Sequence, residues 1–581
     1  MGTGSGAVHV TTQRRHYTGK DGRERVYETH LLRRSWREGG KVRNETVANL
    51  SKLPAETVEL IRRSLAGERL VPAGQQAQVA RSLPHGHAAA VHAMARKLGL
   101  PGLLGPPCRE RDLAYALIIS RVLRPASKLA TLSWWADVTL GADLGVAGAS
   151  TDGIYAAMDW LRGRQDDIEK QLAARHLDRG GIAMFDLSSS WVEGSCCELA
   201  AFGHSRDGKR GRKQVEYGLL TDKDGRPVAV RAFAGNTADP SAFTEIVTVV
   251  REKFALEQMI MVGDRGMITS ARVRALRELA GMAWITCLRA PAIKKLMSDG
   301  PLQLSLFDEQ DLAEITSDDF PGERLIACRN PVLAEERARK RGDLLRATED
   351  DLGKIAARVT AGRLKDPDKI GLAAGKVINK HKVAKHVIPE ITGGRLAWRR
   401  DQASIDAEAA TDGIYVIRTP VPAATLDPAG TVAAYKNLAG VERDFRSIKA
   451  DDLDLRPIWH RLEDRVRAHV LTCMLACYLT WHLRQAWAPL TYADEHPPAR
   501  PDPVAPARRS ASADAKAARK AGPAKQPIRG FRGLLDHLAT LTRNDLRYGD
   551  VTIPALAEPT PTQRRAFDLI GAGIPLTLAP T

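Results

Sequence analysis

The chain has 581 residues, 44% hydrophobic and 27% charged, ordinary proportions for folded soluble protein, and its length implies about three or four domains. Its 86 Lys and Arg outweigh 69 Asp and Glu to give +17 at pH 7; such an excess points to a polyanionic partner, nucleic acid first and an anionic membrane face second. Seven cysteines, an odd number scattered along the chain, argue against a disulfide framework and for a reducing compartment.

Residues 1–74 read as a basic β-hairpin region. H-Y-T-G-K-D-G-R-E-R-V-Y and S-W-R-E-G-G-K-V-R-N-E-T-V alternate polar and apolar positions around turns at Lys20-Asp21-Gly22 and Gly39-Gly40. Ribbons this rich in Arg either lie solvated or track phosphates. The opening M-G-T-G-S-G-A-V has no basic stretch followed by an apolar run, so no secretory signal is expected. From 75 to 178 apolar residues recur at three- and four-residue steps, as in R-D-L-A-Y-A-L-I-I-S-R-V-L, which predicts a helical domain serving either DNA binding or scaffold.

At 179–290 the period changes. G-I-A-M-F-D-L-S-S-S-W-V-E is a buried strand ending in an acid, and a hairpin turning at Asp222-Lys223-Asp224-Gly225 follows. Asp239 suits the N-cap and Pro240 the first turn of a helix. Q-M-I-M-V-G-D-R-G is a second buried strand closed by an acid, followed by another helix and strand. This order predicts an α/β fold with a mixed sheet covered by helices. Residues 291–430 break the rhythm and read as an insertion domain; 431–487 return to helix as the second part of the core. The Pro-, Ala- and Lys-rich 488–527 reads as a basic disordered linker and 528–581 as a helical tail. Residues 468–483 are apolar but shorter than the roughly 18 residues a membrane span needs, so a buried helix is expected and no membrane role. Cys196-Cys197 and Cys473-x3-Cys477 lack a second ligand pair at zinc spacing, which predicts buried thiols.

No H-E-x-x-H, G-x-S-x-G or Walker A motif is present. What remains are three acids. Asp186 and Asp264 each close an apolar run, where an ionised carboxylate is costly unless paired or metal-bound. Each could instead cap the following turn, but two on one sheet favour a ligand site at strand carboxyl ends. In Y-K-N-L-A-G-V-E-R-D-F-R-S-I-K, Leu438, Val441, Phe445 and Ile448 make one helical stripe. Tyr435, Glu442, Arg446 and Lys449 make a second beside it. Glu442 thus sits at the edge of the buried face, able to lean toward the strand acids; an intrahelical pair with Arg446, worth about 0.2–0.5 kcal/mol, is the competing and compatible reading. Three carboxylates without His or Cys suit Mg2+ or Mn2+. Two such ions about 3.5–4 Å apart serve phosphodiester cleavage.

At F-D-L-S-S-S-W-V-E-G, A-G-N-T-A-D-P-S-A-F, V-G-D-R-G-M-I-T and Y-K-N-L-A-G-V-E-R-D-F-R-S-I-K, with L-R-P-I-W-H-R-L-E-D-R-V-R-A-H-V behind, the chain resembles the DDE transposases of bacterial insertion sequences, in the IS4-like group and its IS1634-type branch. Tyr435, Glu442 and Lys449 match the group's spacing around its third acid; Leu438 stands where the group has Arg, with Arg443 or Arg446 as replacements. The resemblance implies an RNase H-like core with the 291–430 stretch as its insertion. Asp186, Asp264 and Glu442 would be the catalytic, metal-binding triad. It further implies double-stranded DNA as partner, a homodimer on paired ends and a cytoplasmic, nucleoid-associated location. Tyr435, Arg265, Arg443, Arg446 and Lys449 are the expected DNA contacts. A non-catalytic DNA-binding protein and another RNase H-like nuclease, such as a junction resolvase, are the alternatives.

Overall fold

The computed structural model describes residues 7–18, 20, 23–38, 41–68, 78–209, 211–307, 310–499, 502–522 and 526–579. The chain divides into two compact units: Met1–Leu83 with Thr542–Ala557, and Pro84–Leu541 with Glu558–Thr581.

In the first unit, strand Glu24–Glu38 pairs antiparallel with Ala7–Thr18 on one side and Lys41–Asn49 on the other. The two expected hairpins therefore share a middle strand as one meander. Their turn residues Asp21, Gly22, Gly39 and Gly40 lie outside the described residues. Helix Ala55–Leu65 follows. A second sheet joins Gln78–Pro84 to a hairpin of Thr542–Tyr548 and Val551–Leu556. The 528–581 stretch is therefore not a helical tail alone. Between helices Phe531–Ala539 and Pro561–Ile570 it turns back at Gly549, φ +56°, a conformation that suits glycine.

The second unit is built on eight strands: β1 (Ile182–Trp191), β2 (Gln214–Asp222), β3 (Pro227–Ala234), β4 (Met259–Val262), β5 (Met282–Cys287), β6 (Leu312–Ile315), β7 (Arg324–Arg329) and β8 (Ile414–Thr419). Their order is β6-β7-β8-β5-β4-β1-β2-β3. β4 runs parallel to both β1 and β5, and the other pairings are antiparallel. Every residue of β2 and β4 is buried, as a sheet covered on both faces requires. Phe243 of helix Asp239–Thr248 packs on Phe185, with ring centroids 6.3 Å apart, and Phe445 of helix Leu438–Arg446 packs on Tyr217 at 5.7 Å. Tyr217 lies opposite Ser188 in the β1–β2 register. Side chains alternate faces along a strand, so Tyr217 shares the face of Asp186, and Phe185 the other.

Helix Glu463–Ala486 is buried along most of its length and packs against β3 and helices Arg109–Leu123 and Thr151–Gly163. The 75–178 helices thereby join the same unit as the sheet. Among the described residues no helix is long and apolar enough to cross a membrane.

Three further sequence expectations need correction. The 291–430 stretch is only partly an insertion of its own. β6, β7 and β8 extend the main sheet, while helices Pro331–Thr360 and Pro367–His381 and the hairpin Val387–Thr392/Arg395–Arg400 hold a separate core around Leu352, Ile370 and Leu396. The 488–527 stretch is no disordered linker, for it contains helix Ala511–Arg519. Ser510 Oγ caps that helix, accepting from Ala513 N, and the Lys516 ammonium donates to the carbonyls of Ala488 (3.1 Å) and Ala493 (2.7 Å) and pairs with Glu495 (3.0 Å). Its alanines, read as low complexity, are strong helix formers. Finally, Cys196 is exposed, while Cys197, Cys473 and Cys477 are buried.

Candidate functional site

Asp186 stands in the middle of β1, not at its end. The apolar run stops at Leu187, but the ladder continues through Ser188, Ser189 and Ser190 to Trp191, opposite Glu216, Tyr217 and their neighbours. Buried hydroxyls sustain it: Ser190 Oγ bonds Tyr217 Oη at 2.9 Å, and Ser189 Oγ accepts from Arg206 N at 3.0 Å. Met184 of β1 pairs with Val262 of β4 in parallel. Two residues beyond that pair stand Asp186, still within β1, and Asp264, in the turn that follows the end of β4. Asp264 is fixed by its own turn, its Oδ1 accepting from Gly266 N (2.7 Å) and Met267 N (2.9 Å).

The third acid comes from the helix on Asp186's face. Leu438, Val441, Phe445 and Ile448 are buried as their spacing predicts, leaving Glu442 exposed beside them. Burial pushes the Asp186 carboxyl up to about 7; the charges of Asp264 and Glu442 push the same way, while the Leu187 N–H and Arg206 oppose. Asp264 and Glu442 thus lie near enough to Asp186 for their charges to act on it. Among the described residues, however, no three Asp, Glu, His or Cys side chains form a group that could hold a metal ion. The donors are all carboxylate oxygens whose mutual repulsion a hard divalent cation relieves, so their chemistry fits such an ion although the cage is not drawn shut.

The expected DNA contacts divide. Tyr435 and Arg265 lie near Asp264: burial raises the Tyr435 hydroxyl, with Cys287 and Asp264 adding to the rise and Arg265 opposing it. Arg443 and Arg446, neighbours at i and i+3, are exposed but line a cavity of about 790 Å³ with Asp444, Asp452 and Arg484, and Glu442 is not part of that lining. Lys449 is buried. The helix passes into a π-helical turn, Ser447–Asp451, and Lys449 meets Asp207 at 2.9 Å, where Arg456 also binds at 2.6 Å. A π turn inserts a residue and rotates the remainder of the helix, which spacing counted at 100° per residue does not anticipate.

Sequence reasoning also missed the cation beside the acids. Arg206, from the basic loop between β1 and β2, pairs with Asp239 at 2.6 Å and lies 3.9 Å from Glu216. Asp239, expected as a helix cap, is instead the first helical residue after Ala238 and spends its carboxylate on Arg206. The run S-R-D-G-K before β2 and the A-D-P beginning the helix were the available signals. Burial pushes Glu216 up to about 7, with Arg206 opposing and Asp239 adding to the rise. A carboxyl raised from 4.5 contributes stability that is complete below that pH and lost as pH rises through about 7. Glu216→Gln should therefore gain stability over the unmodified chain above pH 7 and lose that advantage in acid, as read from urea midpoints across pH.

A model of the IS1634 family transposase N-terminal domain matches residues 15–76, the basic meander, and a model of the transposase DDE domain matches residues 195–479. The second span includes Asp264 and Glu442 and begins after Asp186. No curated protein matches the chain. A solved piggyBac transposase synaptic complex with hairpin DNA aligns over 78% of this chain and 76% of that one, at 8% identity and a TM-score of 0.33. The basic meander falls within the first match and Asp264 and Glu442 within the second, and the chain belongs to the DDE transposases of the IS1634 type.

Proposed function

We propose that this chain binds the double-stranded ends of an insertion sequence and cleaves and rejoins them at an RNase H-like core, with Asp186, Asp264 and Glu442 as its catalytic carboxylates. The observation that supports this reading is that the charges of Asp264 and Glu442 both act on the Asp186 carboxyl, with the Glu442 helix packed on the face of β1 and β2 that carries Asp186. When bound, Mg2+ or Mn2+, two per site, would supply activation of the attacking oxygen and stabilisation of the leaving 3′ oxygen.

The protein's own groups prepare that chemistry. Gly266 and Met267 N–H groups hold one oxygen of Asp264 and leave the other without a bond from that turn. Arg206 offsets the acids' mutual repulsion while DNA is absent. Arg265 and Tyr435 border the acids where a scissile phosphate would lie, and Arg443 and Arg446 offer phosphate contacts on the other flank of the helix. Lys449 acts through Asp207, fixing the loop that carries Arg206, rather than on DNA directly. We place the protein on the nucleoid as a dimer bridging two ends.

The test is a supercoiled plasmid carrying matched inverted repeats taken from the DNA flanking the gene. With Mg2+ the chain should nick and excise at the ends. Preference for four-way junctions over those ends would replace this reading with a resolvase. Gly266 supplies a finer probe, since a Cβ there would lie 3.1 Å from Asp264 Oδ1 and 3.5 Å from Asp239 Oδ2. Gly266→Ala should tilt the Asp264 carboxylate and lower cleavage by about 10–100-fold, as loss of ligand orientation does at metal sites, with the urea midpoint unchanged.

A further inference from the structure

The R-P-I-W-H-R segment at 456–461 has no role among the acids, yet it is tied to the same strand. Ile458 N donates to Trp191 O (3.0 Å) and Ile458 O accepts from Glu193 N (2.9 Å), continuing the sheet in parallel beyond the end of β1. The next residue, Trp459, is 67% exposed, and it is the only exposed one of the ten tryptophans. A large indole left in water at the end of a fixed strand has given up burial worth several times thermal energy.

Cavities of about 490 and 510 Å³ flank the ring. The first is lined by Arg461 and by Arg465, whose guanidinium lies 4.3 Å above the Tyr155 ring. The second contains Arg121, Lys128 and Arg456. Arg121 is spent on the carbonyls of Leu453 (3.3 Å) and Ala126 (3.1 Å). Lys128 differs: its side chain is buried, its hydrogen-bond partner is His469 Nδ1 at 3.2 Å, and it forms no ion pair among the described residues. Burial, with the charge of Arg121 adding, pushes the Lys128 ammonium down to about 7, and a phosphate arriving beside it would favour the charged form.

We propose that these cavities and Trp459 form a site for an unpaired nucleotide of a DNA strand, its phosphate drawn to Lys128 beside Arg121 and its base stacked on the exposed indole. The inference rests on the proposed function for its choice of DNA as the polyanion. An unpaired base is required because both faces of a base inside a duplex are occupied by its neighbours, whereas aromatic platforms capture single-stranded bases of any sequence. Arg461 and Arg465 on the far side of the ring would carry the adjoining phosphates.

The experiment uses the full chain without divalent ion, so that nothing is cut, and two probes: a short duplex with a single-stranded 3′ tail of thymidine containing 2-aminopurine, and the same duplex blunt. Wild type should quench the tail fluorescence and bind the tailed probe about ten-fold more tightly than the blunt one. Trp459→Ala should lose both effects and Trp459→Phe should recover part. Lys128→Met should lower tail affinity and flatten its salt dependence. Glu442→Ala should keep the quench, which separates this site from the acids. Alkylation of the exposed Cys196, which lines the cavity with Trp459, should slow with the tailed probe and not with the blunt one. Equal affinity for the two probes, preference for the blunt duplex, or undiminished quenching in Trp459→Ala would overturn the proposal while leaving the transposase reading in place. Failure to bind either probe would overturn both. A tail preference in a protein that never cleaves element ends would uphold the stacking site and remove the function proposed for the acids.

Discussion

Changing Asp186 or Asp264 to Asn, or Glu442 to Gln, one at a time, should lower Mg2+-dependent cleavage of element ends by about 10³-fold or more, while affinity for the same ends in the absence of Mg2+ stays within a few-fold of wild type. The amide keeps volume and shape but removes the charge that holds a hard cation. At Asp186 it also removes the cost of burying a charge, and after it the repulsion from Asp264 and Glu442, which together raise that carboxyl, so Asp186→Asn should be no less stable than wild type without metal. Loss of activity through unfolding is then separable from loss of chemistry. Gel assays of nicking and strand transfer, run beside a mobility-shift assay, read the two quantities. Wild-type cleavage by any one of the three variants would remove that residue from the reaction.

The largest stability effect is expected away from the acids. Glu323, with its side chain fully enclosed, is held by Arg418 of β8 through two bonds, Nε–Oε2 and Nη2–Oε1, both 2.5 Å, and Arg277 reaches the same carboxylate at 2.5 Å. Removing Arg418 takes two of the three bonds from this buried carboxylate and leaves it to the half-exposed Arg277 alone. Arg418→Met should therefore cost about 3–5 kcal/mol in urea unfolding, and the double change Arg418→Met with Glu323→Met should cost less than the single one. If the single substitution costs under about 1 kcal/mol, the pair is behaving as a surface ion pair does. The pair bears on the reaction because it braces the strand that binds β7 to β5.

Local periodicity made much of this molecule legible. The strand–hairpin–helix–strand–helix–strand order across 182–287, the stripe Leu438, Val441, Phe445 and Ile448, and the strand Ile414–Thr419 all follow from residues close in sequence. Asp264 was readable as a strand-end acid because glycine follows the strand at once. Asp186 was misplaced by its serines: a run of hydroxyls looks like a turn until a partner such as Tyr217, on a strand brought alongside by the fold, is seen to accept it. The same distance hid β6, β7 and β8 within an apparent insertion, and hid the hairpin Thr542–Tyr548/Val551–Leu556, whose partner strand Gln78–Pro84 lies at the opposite end of the chain. Lys449 failed for another reason. One π-helical turn moved it from rim to interior, and no hydrophobic spacing announces such a turn.

The placement of β6, β7 and β8 has a consequence for the gene itself. A ribosome that has synthesised the chain as far as residue 430 has delivered both strand acids and the whole enlarged sheet, but not Glu442. A nonsense mutation, a frameshift or a stalled transcript anywhere in the first three-quarters of the reading frame thus yields a product with two of the three acids at most and no means of completing the set. On the catalytic reading proposed above, such truncated products would lack the third carboxylate and could not cleave.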